Sequence, residues 1–201
     1  MKLRYAAASP FVRKVMVVAH EHGLTDRIEP LPTTLSPLQA NEALASENPL
    51  MKVPSLLTED GQVLFDSPVI CEYLDTLGGG RKLIPPAGPA RWAALRQQAL
   101  ADGVLDAVIL CRYEMLRPED RRWGDWTDGQ MRKAHQGLAA ADREQLGGAR
   151  TIGHIALACM LGYLDFRFPD DGWRRRHPTL ATWYAREEQL PSMQATRPPA
   201  G

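Results

Sequence analysis

Only three of the 201 residues are cysteine, and they lie far apart, at positions 71, 111 and 159. No two have the spacing of a metal knuckle or a dithiol redox motif. Each falls in an apolar stretch, where a buried, inert thiol is expected. Charge of one sign is not in excess either, because 24 Lys and Arg offset 24 Asp and Glu. That balance argues against general electrostatic attachment to nucleic acid or to an anionic membrane surface. No window approaches the roughly 20 apolar residues of a membrane-spanning helix. The opening MKLRYAAASPFVRKV holds no unbroken apolar stretch of signal-peptide length, so the expected compartment is the reducing cytoplasm. The histidines at 20, 22, 135, 154 and 177 show no metal-ligand spacing, and no metal is expected.

What is present is ordinary globular composition, 44% apolar and 24% charged, in enough chain for one large domain or two small ones. The two halves differ in pattern. Residues 1–77 read as strand (1–5), helix (10–22), strand (28–31), weak helix (37–45), two strands (55–58 and 63–65) and helix (68–77). The pair of strands flanks Glu59-Asp60-Gly61-Gln62, a hairpin turn with the Asp-Gly signal. This order gives a mixed sheet covered by helices. Residues 78–89, GGGRKLIPPAGP, read as a linker. From residue 90 no strand pattern occurs. Helices are expected over 90–115, 127–146 and 151–166, with one or two short helices over 179–194. The third is apolar nearly all round, which marks a central, buried helix.

Two serine-proline pairs open helices. Ser67-Pro68 follows Asp66, and Ser9-Pro10 follows the first strand. A serine N-cap with proline in the first turn accounts for each pair locally. After Ser67, however, the residue at the capping-box position is Ile70, so no Glu or Gln completes a box. The first amides of that helix are then open to an outside anion. Asp66 beside them suits an ammonium. Together they match the carboxylate and amine of an amino-acid head group. At Ser9 a helix N-terminus favours a bound thiolate, to which the serine hydroxyl can donate. Lys52-Val53-Pro54 adds a third piece. Val53 is extended because proline follows it, and its backbone suits an added peptide strand.

SPFVRKV, NPLMKVPSL and FDSPVICEYLD, in this order and spacing, resemble the N-terminal domain of a cytosolic glutathione transferase. ALADGVLDA and IGHIALACMLGYLDFR resemble the helical domain of the bacterial YibF-like branch of that family, with serine at the catalytic position. The resemblance covers nearly the whole chain. It implies an α/β thioredoxin-like N-terminal domain (1–77), a linker (78–89) and an all-α C-terminal helical bundle domain (90–201). It implies glutathione as co-substrate, a homodimer, and a cis bond before Pro54. Ser9 matches the catalytic serine that stabilises the glutathione thiolate. Val53 matches the residue whose backbone pairs with the cysteinyl part. Asp66 and Ser67 match the pair that holds the γ-glutamyl head, and Lys52 is a candidate for the glycine carboxylate. Serine rather than cysteine at position 9 disfavours mixed-disulfide chemistry, and the absence of tyrosine there disfavours the tyrosine classes.

The expected activity is conjugation of glutathione to an electrophilic small molecule, a detoxification chemistry. Glutathione-dependent peroxide reduction and a non-catalytic glutathione-binding or interaction role stay open, because no sequence feature separates them. Asp102 and Asp106 share a helix face with Trp92, Leu95, Ala99, Ile109 and Tyr113, and acids on such a face need partners. Asp102 is a candidate glutathione or interdomain contact. Phe11, Arg112, Tyr113 and Tyr163 are candidates for the electrophile pocket, against the commoner reading that aromatics at helical spacing are core. One departure concerns Thr151-Ile152-Gly153-His154, where many relatives have Asp at the fourth position. Thr151 can cap the helix, but His154 cannot act as an ionised acid, so a weaker helix start or a different partner is expected.

Overall fold

The computed structural model describes residues 1–144 and 146–199, and they divide into two compact units. The first holds residues 1–86 together with the chain from Pro191 on, and the second holds residues 87–190. The sequence reading grouped everything after residue 89 with the helical domain. The structure instead gathers the last segment with the first unit.

In the first unit, β1 (Lys2–Tyr5) leads into α1 (Pro10–Glu21), then β2 (Glu29–Pro32), a single helical turn α2 (Glu42–Ala45), β3 (Ser55–Leu57), β4 (Val63–Leu64) and α3 (Ser67–Leu77). The expected weak helix over 37–45 is realised only in its last turn. The sheet order is β2-β1-β3-β4, with β2 parallel to β1 and the other neighbours antiparallel. Pro30 and Pro32 sit in β2, which is an edge strand, where a missing N–H leaves no ladder bond unmade. The expected hairpin turn is present. Thr58 Oγ1 donates to Asp60 Oδ1 at 2.5 Å and accepts from the Gln62 amide at 2.9 Å, while Gly61 takes φ 85°. Leu3, Val12, Val15, Val18, Leu56, Ile70 and Leu74 are buried from both sides of this α/β layer.

Helix α9 (Pro191–Ala195) packs on α1. Arg13 Nη2 donates to the Met193 carbonyl at 3.1 Å, and Ser192 Oγ donates to Glu21 Oε1 at 2.5 Å. The segment after α3 is held by a buried acid. Asp75 accepts from the Leu83 amide at 2.7 Å, the Ile84 amide at 3.3 Å and His22 Nε2 at 2.8 Å. Gly78 is required there, since a Cβ would lie 2.1 Å from His22 Nδ1.

The second unit contains α4 (Gly88–Met115), α5 (Gly124–Asp142), α6 (Ile152–Arg167), α7 (Trp173–Arg176) and α8 (Pro178–Glu187). Helix α6 is the buried centre, with residues 152–164 all buried. It approaches α4 closely at Gly153, where a Cβ would meet the Ala94 carbonyl at 2.9 Å. Helix α4 buries Ala94, Ala101, Val104, Leu105, Val108 and Cys111. The face carrying Trp92, Asp106 and Tyr113 is exposed, so the apolar residues of that stripe are not core. The cysteines at 71, 111 and 159 are buried thiols outside any disulfide, as their surroundings predict. At the start of α6, where a weaker entry or a different partner for the imidazole is expected, the His154 side chain takes the reciprocal place in a capping box with Thr151. Among the described residues no helix is long and apolar enough to cross a membrane.

Candidate functional site

The sheet register brings three separate segments of the first unit to one end. β1 ends at Tyr5, opposite the beginning of β3, because Arg4 pairs with Ser55. β4 runs back the same way, with Leu56 opposite Leu64. The chain leaving β1 toward Ser9, the chain arriving at β3 through Val53-Pro54, and the chain leaving β4 toward Asp66-Ser67 therefore share this end of the sheet. Antiparallel pairing fixes that juxtaposition whatever the loops between do.

Ser9 is the N-cap of α1 and is half-buried. Its N–H donates to the Ala6 carbonyl at 2.9 Å and its carbonyl accepts from the Arg13 amide at 3.0 Å. Its Oγ accepts from the Val12 amide at 3.3 Å. A hydroxyl that accepts through oxygen keeps its hydrogen for another partner. The capping role and a donor role toward a thiolate are thus compatible in one side chain.

Val53 is buried, and the Val53-Pro54 bond is cis. Neither the N–H nor the carbonyl of Val53 bonds to another described residue. Lys52 beside it is exposed. Sequence reasoning passed over Asn48, which is 1% exposed and holds this loop from inside. The available signal was an Asn-Pro pair opening a turn.

At the third segment the helix begins one residue earlier than the sequence reading placed it. Asp66, not Ser67, is the N-cap, because its extended backbone turns into α3 and its carbonyl accepts from the Ile70 amide at 3.0 Å. The Ile70 amide is therefore committed, whereas those of Ser67 and Val69 bond to no described residue. Asp66 makes no side-chain cap and is exposed. Ser67 is 2% exposed, and its hydroxyl bonds to no described residue. An acid, a hydroxyl and two open amides stand together at this helix start.

The remaining candidates are spread over other elements. Phe11 lies in the first turn of α1, half-buried, with Lys14 Nζ 5.8 Å from its ring centre. Asp102 is half-buried on α4. Tyr163 on α6 is buried, and burial pushes its phenol above the ordinary value, with Arg167 and Arg112 pulling the other way and Tyr113 adding to the rise. Arg112, Tyr113 and Tyr163 are thus electrostatic neighbours within the second unit.

A small mixed sheet with a serine-capped helix and a cis-proline loop at one end, followed by an all-helical unit, defines the glutathione transferase fold. Family models agree in both halves. Residues 8–77 match the glutathione S-transferase N-terminal domain, and residues 124–186 match the C-terminal domain. The chain is 33% identical to an uncharacterized GST-like protein, YibF, of Escherichia coli (strain K12), over 99% of each chain. A glutathione transferase family member from Pseudomonas fluorescens Pf-5, solved with bound glutathione, superposes with a TM-score of 0.96 at 48% identity, covering 98% of both chains. A second structure of a Pseudomonas fluorescens Pf-5 family member, with bound S-(propanoic acid)-glutathione, gives a TM-score of 0.91 at 47% identity, over 99% of this chain and 100% of that one. The chain belongs to the glutathione S-transferase family.

Proposed function

We propose that this protein binds glutathione in its first unit and conjugates the thiolate to an electrophilic small molecule. The reading is supported most by what the shared end of the sheet leaves unused. The Ser9 hydroxyl hydrogen, the Val53 backbone and the Ser67 hydroxyl with its neighbouring amides have no partner among the described residues. They match in kind what a γ-glutamyl-cysteinyl peptide offers. Asp66 takes the α-ammonium, the Ser67 hydroxyl and the first amides of α3 take the α-carboxylate, and the Val53 backbone pairs with the cysteinyl unit. Lys52 is the candidate for the glycine carboxylate. The Pseudomonas fluorescens relatives, solved with glutathione and with a glutathione thioether, make the ligand class concrete.

Ser9 donates its hydroxyl hydrogen to the sulfur, and the N-terminus of α1 adds its positive end, so the thiol loses its proton to solvent near neutral pH. The sulfur then forms a bond to the electrophilic carbon as the bond to the leaving group breaks. Arg112, Tyr113 and Tyr163 are the candidates for holding that molecule, and Tyr163 enters as a neutral phenol. Asp102 is proposed as a further glutathione contact. Retention of full glutathione affinity in Asp102→Ala removes it from the site.

The direct test is calorimetric titration of glutathione into the wild type and Ser67→Ala. Micromolar to millimolar binding that is lost or much weakened in the variant is expected. No heat of binding in the wild type overturns the reading.

A further inference from the structure

The chain between α2 and β3 turns around one buried carboxamide. The Asn48 amide donates to the Leu44 carbonyl at 2.7 Å, and the Asn48 carbonyl accepts from the Met51 amide at 2.8 Å. Its side chain works in both directions. Oδ1 accepts from the Leu50 amide at 3.0 Å, and Nδ2 donates to the Lys52 carbonyl at 3.0 Å. The two partners fix which end of the carboxamide is oxygen, since one is a donor and the other an acceptor. Met51 within this turn has φ 51°, a conformation that residues with a Cβ adopt rarely and only when their surroundings hold them. The preceding residue, Glu47, is tied to β1 by Arg4, whose Nε donates to Glu47 Oε2 at 2.9 Å. The loop is thus fixed at its root and across its span.

The tether to the Lys52 carbonyl has a consequence for the next residue. The carbonyl of Lys52 and the N–H of Val53 belong to one planar trans peptide unit, so they point to opposite sides. Drawing the carbonyl inward to Asn48 aims the Val53 N–H outward. We propose that Asn48 is a positioning residue for glutathione: through the Lys52 carbonyl it sets the direction in which Val53 presents its backbone to the cysteinyl part of the tripeptide. This rests on the glutathione reading given above. Asn48 touches no ligand in this scheme. Its effect reaches the ligand through one rotation axis, the Lys52-Val53 peptide plane.

Asn48→Asp isolates the effect. It preserves size and the acceptor for the Leu50 amide but sets a second oxygen against the Lys52 carbonyl. Asn48→Ala removes both bonds. Thr58→Ala serves as the control, because it removes the Thr58 hydroxyl bonds of the β3–β4 hairpin in the same unit and leaves residues 48–53 untouched. Glutathione is titrated into each full-length protein by calorimetry, with the melting temperature measured alongside. Losing a hydrogen bond that orients a ligand-binding group is expected to raise the glutathione dissociation constant about tenfold in Asn48→Asp. Asn48→Ala should raise it at least as much, and Thr58→Ala should leave it within about twofold even where its melting temperature falls as far. If Asn48→Ala does not fold, the isosteric Asp variant carries the test. An Asn48→Asp protein that binds glutathione like the wild type overturns the inference alone. So does a Thr58→Ala protein that weakens binding equally, since stability rather than orientation is then responsible. A wild type that fails to bind glutathione overturns the functional reading itself.

Discussion

Nδ1 of His154 accepts the backbone N–H of Thr151 at 3.0 Å. A neutral imidazole thereby does at the start of α6 what a carboxylate does in an ordinary capping box. The acceptor matters and its charge does not, so His154→Asn, which offers an oxygen at the same reach as Nδ1, should keep most of the stability. His154→Ala should lose about 1–2 kcal/mol from the cap. It should lose more from the hole left against Trp183, whose ring centre is 6.0 Å from that of His154. Urea denaturation of the two variants decides the point. If Asn is as damaging as Ala, the hydrogen bond is not what the side chain supplies.

Ser9 carries two roles that one substitution separates. Its Oγ caps α1 through the Val12 amide, and its hydrogen is the proposed donor to the thiolate. Ser9→Ala should cost about 1 kcal/mol of stability through the cap. It should also reduce turnover of glutathione with an activated aryl halide by about a hundredfold, the scale for one lost donor to a developing anion. The glutathione dissociation constant should change much less, because the head-group contacts lie on α3 and the loop. Full turnover in Ser9→Ala would remove the hydroxyl from the chemistry.

The Ser9-Pro10 helix start, the Asp-Gly hairpin and the apolar α6 were readable because each is set by neighbours in sequence. Ser9 needs only the strand before it and the helix after it to become a cap. The Asp66 start was misread by one residue, since choosing between Asp66 and Ser67 as the cap depends on backbone angles that both residues tolerate. The tail from Pro191 and the carboxamide of Asn48 were not readable. Met193 is buried against α1 through contacts spanning most of the chain, and a single buried Asn looks like any polar loop residue until its four partners are in place. His154 was legible as a departure but not as a solution, because ring orientation decides whether Nδ1 can reach back.

Asp75 joins three parts of the first unit, accepting from His22 and from the Leu83 and Ile84 amides while its side chain is only 6% exposed. Removing one partner of a buried polar cluster leaves the others desolvated and unmade. Asp75→Ala should therefore destabilise by about 3 kcal/mol or more. Gly78→Ala should be damaging for a different reason, since its Cβ would press on the His22 ring. Guanidinium unfolding measures both. A loss below about 0.5 kcal/mol for Asp75→Ala, the range of an indifferent surface change, would show that the cluster does not hold the segment.

Burial pushes the Cys111 thiol above its ordinary value of 9.0, with a smaller push from Asp128. The thiolate is the reactive form, so at pH 8 iodoacetamide should label native Cys111 slowly, and the buried Cys71 and Cys159 should share that resistance. Denatured protein should take up label at all three positions. The same shift has a sign in stability. The folded state holds the thiol proton more tightly than the unfolded chain, so the contribution is complete below the unfolded value and declines as pH rises through 9.0 toward the higher folded value. Cys111→Ala should flatten that part of the curve, at the separate expense of a small cavity between α4 and α5. Rapid labelling of Cys111 in the native protein at pH 8 would mean that this helix face opens without unfolding, contrary to the packing described.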